Sequence, residues 1–425
     1  MKNKGDDTVG LPQHDRDILR RLAEIKASLA HDPVNEERRK SWHDLDSGES
    51  GRVMVLAEHG GVRDTERPLS VGILECTDEW ARGVEQGLRT ELYVFNKLKD
   101  DHVIEPFMNV NWKIAQSNYG VDIVVHQGGD ATHMGSRSWD PPIRDLDSDF
   151  DKLRPRTFSV NRTATLAEKA KLEALFDGIM PVRIRGGHYW TMGLTCRVID
   201  LIGLEQLMLT MYDNPSGLHR LMKFIMDDHL AFANWLESEG LYSLNNENDY
   251  TGSGSIGYTR ALPQPDWHVG APVRKKDLWV LSESQETVGV GPELFEEFIF
   301  PYQLTIAEQF GRCYYGCCEP VNNRWHILKR IPNLARVSVS PWADQCFMAR
   351  EMKRDYVFSR KPNPTLISTE RFDEDAIRAD IRQTLDAAGD CRLEIIMKDV
   401  HTLNNESERL SRWVQIAREE IERQN

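Results

Sequence analysis

Short β-rich runs alternate with long amphipathic helices from about residue 103 to the C-terminus, an alternation that predicts an α/β fold on a parallel sheet. Eight or nine such runs in about 300 residues match a (β/α)8 TIM barrel, here with an N-terminal helical extension. No early run carries the G-x-G-x-x-G turn of an open dinucleotide-binding sheet. The expected division is 1–100 for the extension and 101–425 for the barrel.

The extension sets Ile18, Leu19, Leu22, Ala23, Ile25 and Leu29 on one helical face within residues 14–48, then breaks at the polar loop DSGESG. The strand candidates follow in order as VIEPFMNVNW, TFSVN, VRIRGG, LYSLN, LWVLSES, CYYGC, RVSVS, DYVFS and LEIIM. Helices are marked at residues 204–211, at 218–236 after the DNPSG break, and at 293–310 after a Gly-Pro. The segment 245–277 contains GSGSIG and PQPDW and is long for a connection. It is expected to be a lid over the barrel mouth, shaping a pocket with Trp267, His268 and Trp342. A last helix begins near the capping-box-like N-E-S-E of Asn405 to Glu408 and should bury Leu410, Trp413, Val414, Ala417 and Ile421.

Composition narrows the function. The chain has 425 residues, 40% hydrophobic and 28% charged, which suits a folded globular protein rather than a disordered one. Acidic residues number 67 against 53 basic, a net charge of −14, so a polyanion such as nucleic acid is a poor partner. The first fifteen residues hold no apolar run and no later window resembles a membrane helix, so a cytoplasmic address is expected. Seven cysteines, three of them within residues 313–318, suit reduced thiols better than a disulfide framework.

Chemistry in a barrel sits where strands end. CYYGCCEP places Cys317, Cys318 and Glu319 at such an end, and strand alternation assigns Tyr315 and Cys317 to one face. A thiolate beside a carboxylate is a soft-plus-hard donor set for zinc, and His401 follows the last strand on the same mouth. Glu283 and Glu286 of SESQE, with Glu247 and Asp249 of NENDY, offer carboxylates as further ligands or as general acids and bases. The tetrad Arg185 to His188 offers backbone N–H groups and a guanidinium to an anion.

Four stretches carry a resemblance to a known family from about Asp101 onward: PVRIRGGHYWTMGLTCRVIDLIGLEQLMLTMYDNPSGLHRLM, GVGPELFEEFIFPYQLTI, SRKPNP and LEIIMKDVHTLNNESERL. The chain resembles the uroporphyrinogen decarboxylase superfamily, closest to a branch carrying YYGCCEP and SVSPWAD. That superfamily includes the decarboxylase and zinc-dependent cobalamin methyltransferases. The decarboxylase's arginine-rich first strand is replaced here by EPFMNVNW, so porphyrinogen decarboxylation is not expected. The methyltransferases' His-x-Cys and later Cys align with Tyr315, Cys317 and His401.

The resemblance implies a zinc-dependent methyltransferase moving a methyl group between a small methylated donor, for example a methyl ether, and a cobalamin on a corrinoid carrier protein. Its metal ligands are expected to be Cys317, His401 and Glu319, its catalytic residues Tyr315, Glu286 and Asp249, and its substrate-binding residues Arg185, His188, Asn246, Trp342 and Lys361. The expected partners are a small-molecule substrate, that carrier and a second copy in a homodimer, with no nucleic acid and no membrane. Two alternatives stand beside it. One is a metal-independent lyase using Arg185, Arg162 and Lys361 as carboxylate clamps, with Asp249 or Tyr315 as proton donor. The other is a small-molecule-binding barrel without chemistry.

Overall fold

The computed structural model describes residues 10–49, 52–65, 69, 73–128 and 137–424. Residues 1–9, where the absence of an apolar leader was read, lie outside them, as does part of the DSGESG loop. Six strands form one all-parallel sheet in the order β1–β8–β7–β6–β5–β4, and β2 and β3 form a separate parallel pair. Their ranges are β1 Met54–Ala57, β2 Met108–Val110, β3 Val182–Ile184, β4 Trp279–Ser282, β5 Arg312–Tyr315, β6 Leu334–Val339, β7 Val357–Arg360 and β8 Arg392–Met397. Long β-branched and aromatic runs suit these strands, which are buried almost without interruption in the large sheet. The parallel α/β architecture thus follows the sequence expectation.

The ladder of the large sheet ends at β1 on one side and β4 on the other, and the β2–β3 pair is not hydrogen-bonded into it. LYSLN, expected as a strand, joins its neighbours through side chains instead. Ser243 Oγ accepts from the Gly186 N–H at 3.2 Å, and the Asn245 carboxamide brackets the Trp279 backbone, accepting from its N–H at 2.9 Å and donating to its carbonyl at 3.1 Å. TFSVN also departs from expectation. Its residues Phe158–Val160 pair antiparallel with Ile114–Gln116 in a half-exposed ribbon outside the parallel sheet.

The N-terminal region supplies more than an extension. Helices α1 Gln13–Ala30 and α2 Pro33–Ser47 are separated by His31 and Asp32, and Asp32 caps α2 by accepting from the Val34 N–H at 2.9 Å. Strand β1 then pairs with β8, Met54 opposite Glu394, so residues expected to be helical enter the sheet. α1 and α3, Glu79–Tyr93, share a small core with the β2–β3 pair, built on Ile18, Leu22, Leu88 and Val182. Ile25, placed on the same face by periodicity, is half-exposed.

The outer face of the sheet is covered by helices, among them Pro215–Ser238, Phe300–Ala307, Glu374–Ala388 and Arg409–Gln424. Leu410, Trp413, Val414 and Ala417 are buried as expected, while Ile421 packs half-buried at the edge. Among the described residues no helix is long and apolar enough to cross a membrane.

The segment expected as a lid is a plug. From Thr251 to Thr259 every residue is buried. The hairpin Tyr250–Gly252 with Ser255–Ile256 runs across the inner face of the sheet, where Ser255 Oγ donates to Glu394 at 3.0 Å. Arg336, fully buried, donates from Nη1 to Ser255 Oγ and the Ile256 carbonyl, each at 2.7 Å. Its tip lies at the carboxyl ends of the strands, with Ser253 Oγ 3.4 Å from Lys398 Nζ. The other end reaches the amino side, where Thr259 hydroxyl meets Asp46 and Gly311, just before β5, packs on Leu262 and Lys276. Trp267 and His268 therefore sit in a turn pinned near Asp277, away from Trp342, and the expected three-residue pocket is not formed.

Candidate functional site

At the carboxyl end of β5 the backbone turns at Gly316, whose φ of +98° lies in a region that side chains with a Cβ avoid. That turn breaks the strand alternation. Tyr315 points outward into the helix layer, its hydroxyl donating to Gln303 Oε1 at 3.0 Å, whereas Cys317 is carried round to the strand ends. Tyr314 faces the interior instead, with its hydroxyl 2.9 Å from Ser359 Oγ and 3.1 Å from Lys361 Nζ. Tyr315 is thus removed from the expected catalytic position.

Cys317 is 4% exposed and sits among charges. Its Sγ lies 3.6 Å from Cys318 Sγ and 3.8 Å from Lys398 Nζ. The ammonium also reaches Asp399 Oδ2 at 3.5 Å, and Cys318 Sγ lies 3.5 Å from the same oxygen. The Cys318 hydrogen bond, and then the Lys398 charge, hold the Cys317 thiol below its ordinary value against the opposing effect of burial. Burial alone would lower Lys398, but Cys317 and Asp399 outweigh it and raise it. Sulfur and ammonium therefore each favour the other's charged form, and together the ion-paired state.

Carboxyl groups surround this pair. Glu283, at the end of β4, is fully buried with Oε1 unpartnered, and burial, with Glu286 and Glu319 nearby, pushes it well above the carboxylate range. Glu319 accepts from the Ser284 N–H at 2.8 Å and the Cys317 N–H at 2.9 Å, so its two oxygens tie β4 to the Cys317 turn. Glu58, after β1, is raised by burial and feels Lys398, Asp399 and Lys361. Lys361 itself, enclosed beneath Tyr314 and Ser359, is lowered by burial to about 7.

Two recesses and one cavity open near these strand ends. Glu286, accepting from the Thr195 hydroxyl, lines a recess of about 420 Å³ with Cys318 and Trp342, the last 67% exposed. A second recess, about 240 Å³, holds Arg185, His188, Asp249 and the rings of Tyr189, Trp190, Tyr242 and Tyr250. The largest, about 660 Å³, lies between the end of β1 and β2 under α3 and is walled in part by Glu58. Tyr250 and Glu58 both feel Cys317 or Lys398, which sets the second recess and the cavity beside the ion pair.

The expected zinc set does not converge. His401 is exposed on a loop against Gly61, Glu319 is committed to two backbone N–H groups, and the positive charge beside Cys317 is an ammonium. Among the described residues no three His, Cys, Asp or Glu side chains group as metal ligands. The expected carboxylate clamps also lie apart. Arg185 Nε binds Asp249 at 2.8 Å, Arg162 binds Glu239 at 2.9 Å, and Lys361 is enclosed. Asp249 is thereby a partner of Arg185, Asn246 donates to the Leu262 carbonyl at 2.9 Å, and a His188 ring nitrogen lies 3.1 Å from the Leu241 carbonyl. Sequence reading passed over Lys398 and Glu58, although each follows an apolar run directly, LEIIM-K and MVLA-E.

No family model matches the chain, and no curated protein does. Among solved structures it is similar to a methyltransferase from Methanosarcina mazei, with 10% sequence identity and a TM-score of 0.50 over 90% of this chain and 98% of that one. The likeness is one of fold.

Proposed function

We propose that the protein is a methyltransferase built on a (β/α)8-type ring. It takes a small methylated donor in the cavity beside Glu58 and passes the methyl group to a corrinoid carrier protein docked on the open side near Trp342. One observation carries the reading: a cavity of about 660 Å³ is walled by Glu58, and Glu58 lies within the electrostatic reach of Lys398, whose ammonium stands 3.8 Å from the Cys317 sulfur at the carboxyl ends of β5 and β8. The fold it shares with a methyltransferase supports it. A reduced corrinoid on the carrier would supply the nucleophile that accepts the methyl group.

The chain's own groups have definable tasks. A methyl group in transfer is electron-poor, and fixed negative charge beside its path lowers the barrier most where water is excluded. Cys317 and Asp399 supply that charge, joined by Glu58 when a cation is bound, and Lys398 favours the ionised form of Cys317 and holds it in place. Glu319 holds the turn that presents the sulfur. The test mixes the protein with a reduced corrinoid carrier and a set of methylated donors and follows methyl–cobalt formation by absorbance. Cys317→Ala and Lys398→Met should each slow it by at least tenfold. No methyl–cobalt band with any donor would remove the proposal.

A further inference from the structure

Among the described residues, the charged side chains in the wall of the 660 Å³ cavity have partners except Glu58, while His59 beside it makes only an edge-on ring contact with Tyr93 and is held toward its neutral form by burial and by His102. Lys26 Nζ binds Glu91 at 2.8 Å and the Phe107 carbonyl at 2.6 Å. Glu105 binds Arg183 at 3.0 Å, and His102 binds Asp100 at 2.8 Å. Among the described residues Glu58 has neither an ion pair nor a side-chain hydrogen bond. Lys398, the cation that acts on it most strongly, is turned toward Cys317, Asp399 and Ser253. The Glu58 carboxyl packs on the hairpin tip, where a Cβ on Gly254 would stand 2.8 Å from Oε1, so the plug fixes it at the boundary of cavity and ion pair.

We infer that this cavity binds an organic cation of the alkylammonium class, with Glu58 as its counter-charge. The inference rests on the methyl-transfer reading in taking that cation as the donor. A neutral ligand leaves Glu58 without a charged partner, and an anion meets Glu58, Glu91 and Glu105 on one wall. N-methyl groups suit the remaining surface, which Val94, Phe95, Phe107 and Met108 make apolar. A volume of about 660 Å³ is in the usual range of small-molecule pockets. A quaternary nitrogen also fits the chemistry. When the C–N bond breaks, its electron pair stays on nitrogen, a neutral amine leaves without a proton, and the carbon bonds to the carrier's reduced cobalt through the metal's electron pair.

Burial raises Glu58 in the free protein, so a bound cation should draw it into its ionised form and affinity should climb as pH rises through that raised value. The charged groups facing Glu58 are Lys398 and Asp399 after β8, Lys361 after β7 and His102 before β2. They belong to the same titration.

The experiment is calorimetric titration of the full chain with choline and with its neutral carbon isostere, 3,3-dimethyl-1-butanol, across pH, for wild type, Glu58→Gln and Glu58→Asp. Wild type should prefer choline by at least tenfold, with the preference growing with pH. Glu58→Gln should abolish it and Glu58→Asp should keep it. Equal affinities in wild type, or an undiminished preference in a Glu58→Gln protein that melts like wild type, would overturn the inference. If Glu58→Gln fails to fold, the wild-type and Glu58→Asp comparison decides alone. Choline binding without methyl transfer sinks the proposed reaction and leaves this site standing. Transfer from neutral donors with no cation preference does the reverse.

Discussion

Replacing Lys398 by Met removes the ammonium that lies 3.8 Å from the Cys317 sulfur at nearly constant side-chain volume. A unit charge at 3.8 Å, in surroundings of effective dielectric about 20, is worth about 4 kcal/mol, equivalent to about 3 pH units of thiol titration. The Cys318 hydrogen bond at 3.6 Å survives the change and the site relaxes, so an upward move of at least one unit is the expected remainder. The assay is the pH dependence of Cys317 alkylation by iodoacetamide, read by peptide mass spectrometry so that the other cysteines do not contribute. In wild type the midpoint should lie below that of an ordinary thiol, and in Lys398→Met it should rise, with Lys398→Arg close to wild type. Cys318→Ala should also raise it, since the Cys318 hydrogen bond is the larger of the two causes. An unchanged midpoint in Lys398→Met would refute the ion pair and the electrostatic role built on it.

Arg336→Met should destabilise the protein by about 3–5 kcal/mol, because it strands the fully buried Glu394; in a chain this long that is a fall in melting temperature of about 3–6 °C. An undiminished melting temperature would mean the plug is not held as described. Glu283→Gln tests the raised carboxyl. A folded value above the unfolded one gives a contribution intact below the ordinary carboxyl range and lost as pH rises through the folded value. The variant should therefore melt like wild type in acid and above it toward neutrality; a constant difference would contradict the assignment. Because Lys398 neutralises Cys317, dialysis against a chelator should leave both the melting temperature and the Cys317 alkylation midpoint unchanged. Stoichiometric zinc whose removal lowers the melting temperature or raises the midpoint would restore the metal reading.

Much of the architecture is written in local pattern. Runs such as LWVLSES and LEIIM are β-rich over their whole length, so β4 and β8 could be found without tertiary information. MVLA is as apolar as these, but at four residues between helices it lacks length, and only its pairing with β8 defines it. LYSLN has the composition of a strand, yet Asn245 replaces the ladder with its own carboxamide, a choice that depends on where Trp279 lies. At the site, Cys317 is legible through its motif, but alternation alone puts Tyr315 on its face because the conformation of Gly316 lies beyond sequence. Glycines in GSGSIG read equally as hinges or as close-packing points. What separates the two is the buried guanidinium of Arg336, far along the chain.

The pairing of β1 with β8 also has a consequence in time. Met54 meets Glu394, 340 positions later, so a chain made at about 5–20 residues per second leaves β1 without its partner for roughly 17 to 70 s. Throughout that interval four apolar residues, Met54 to Ala57, present an open strand edge on the ribosome, and the sheet's last ladder closes only when Arg392 to Met397 has emerged.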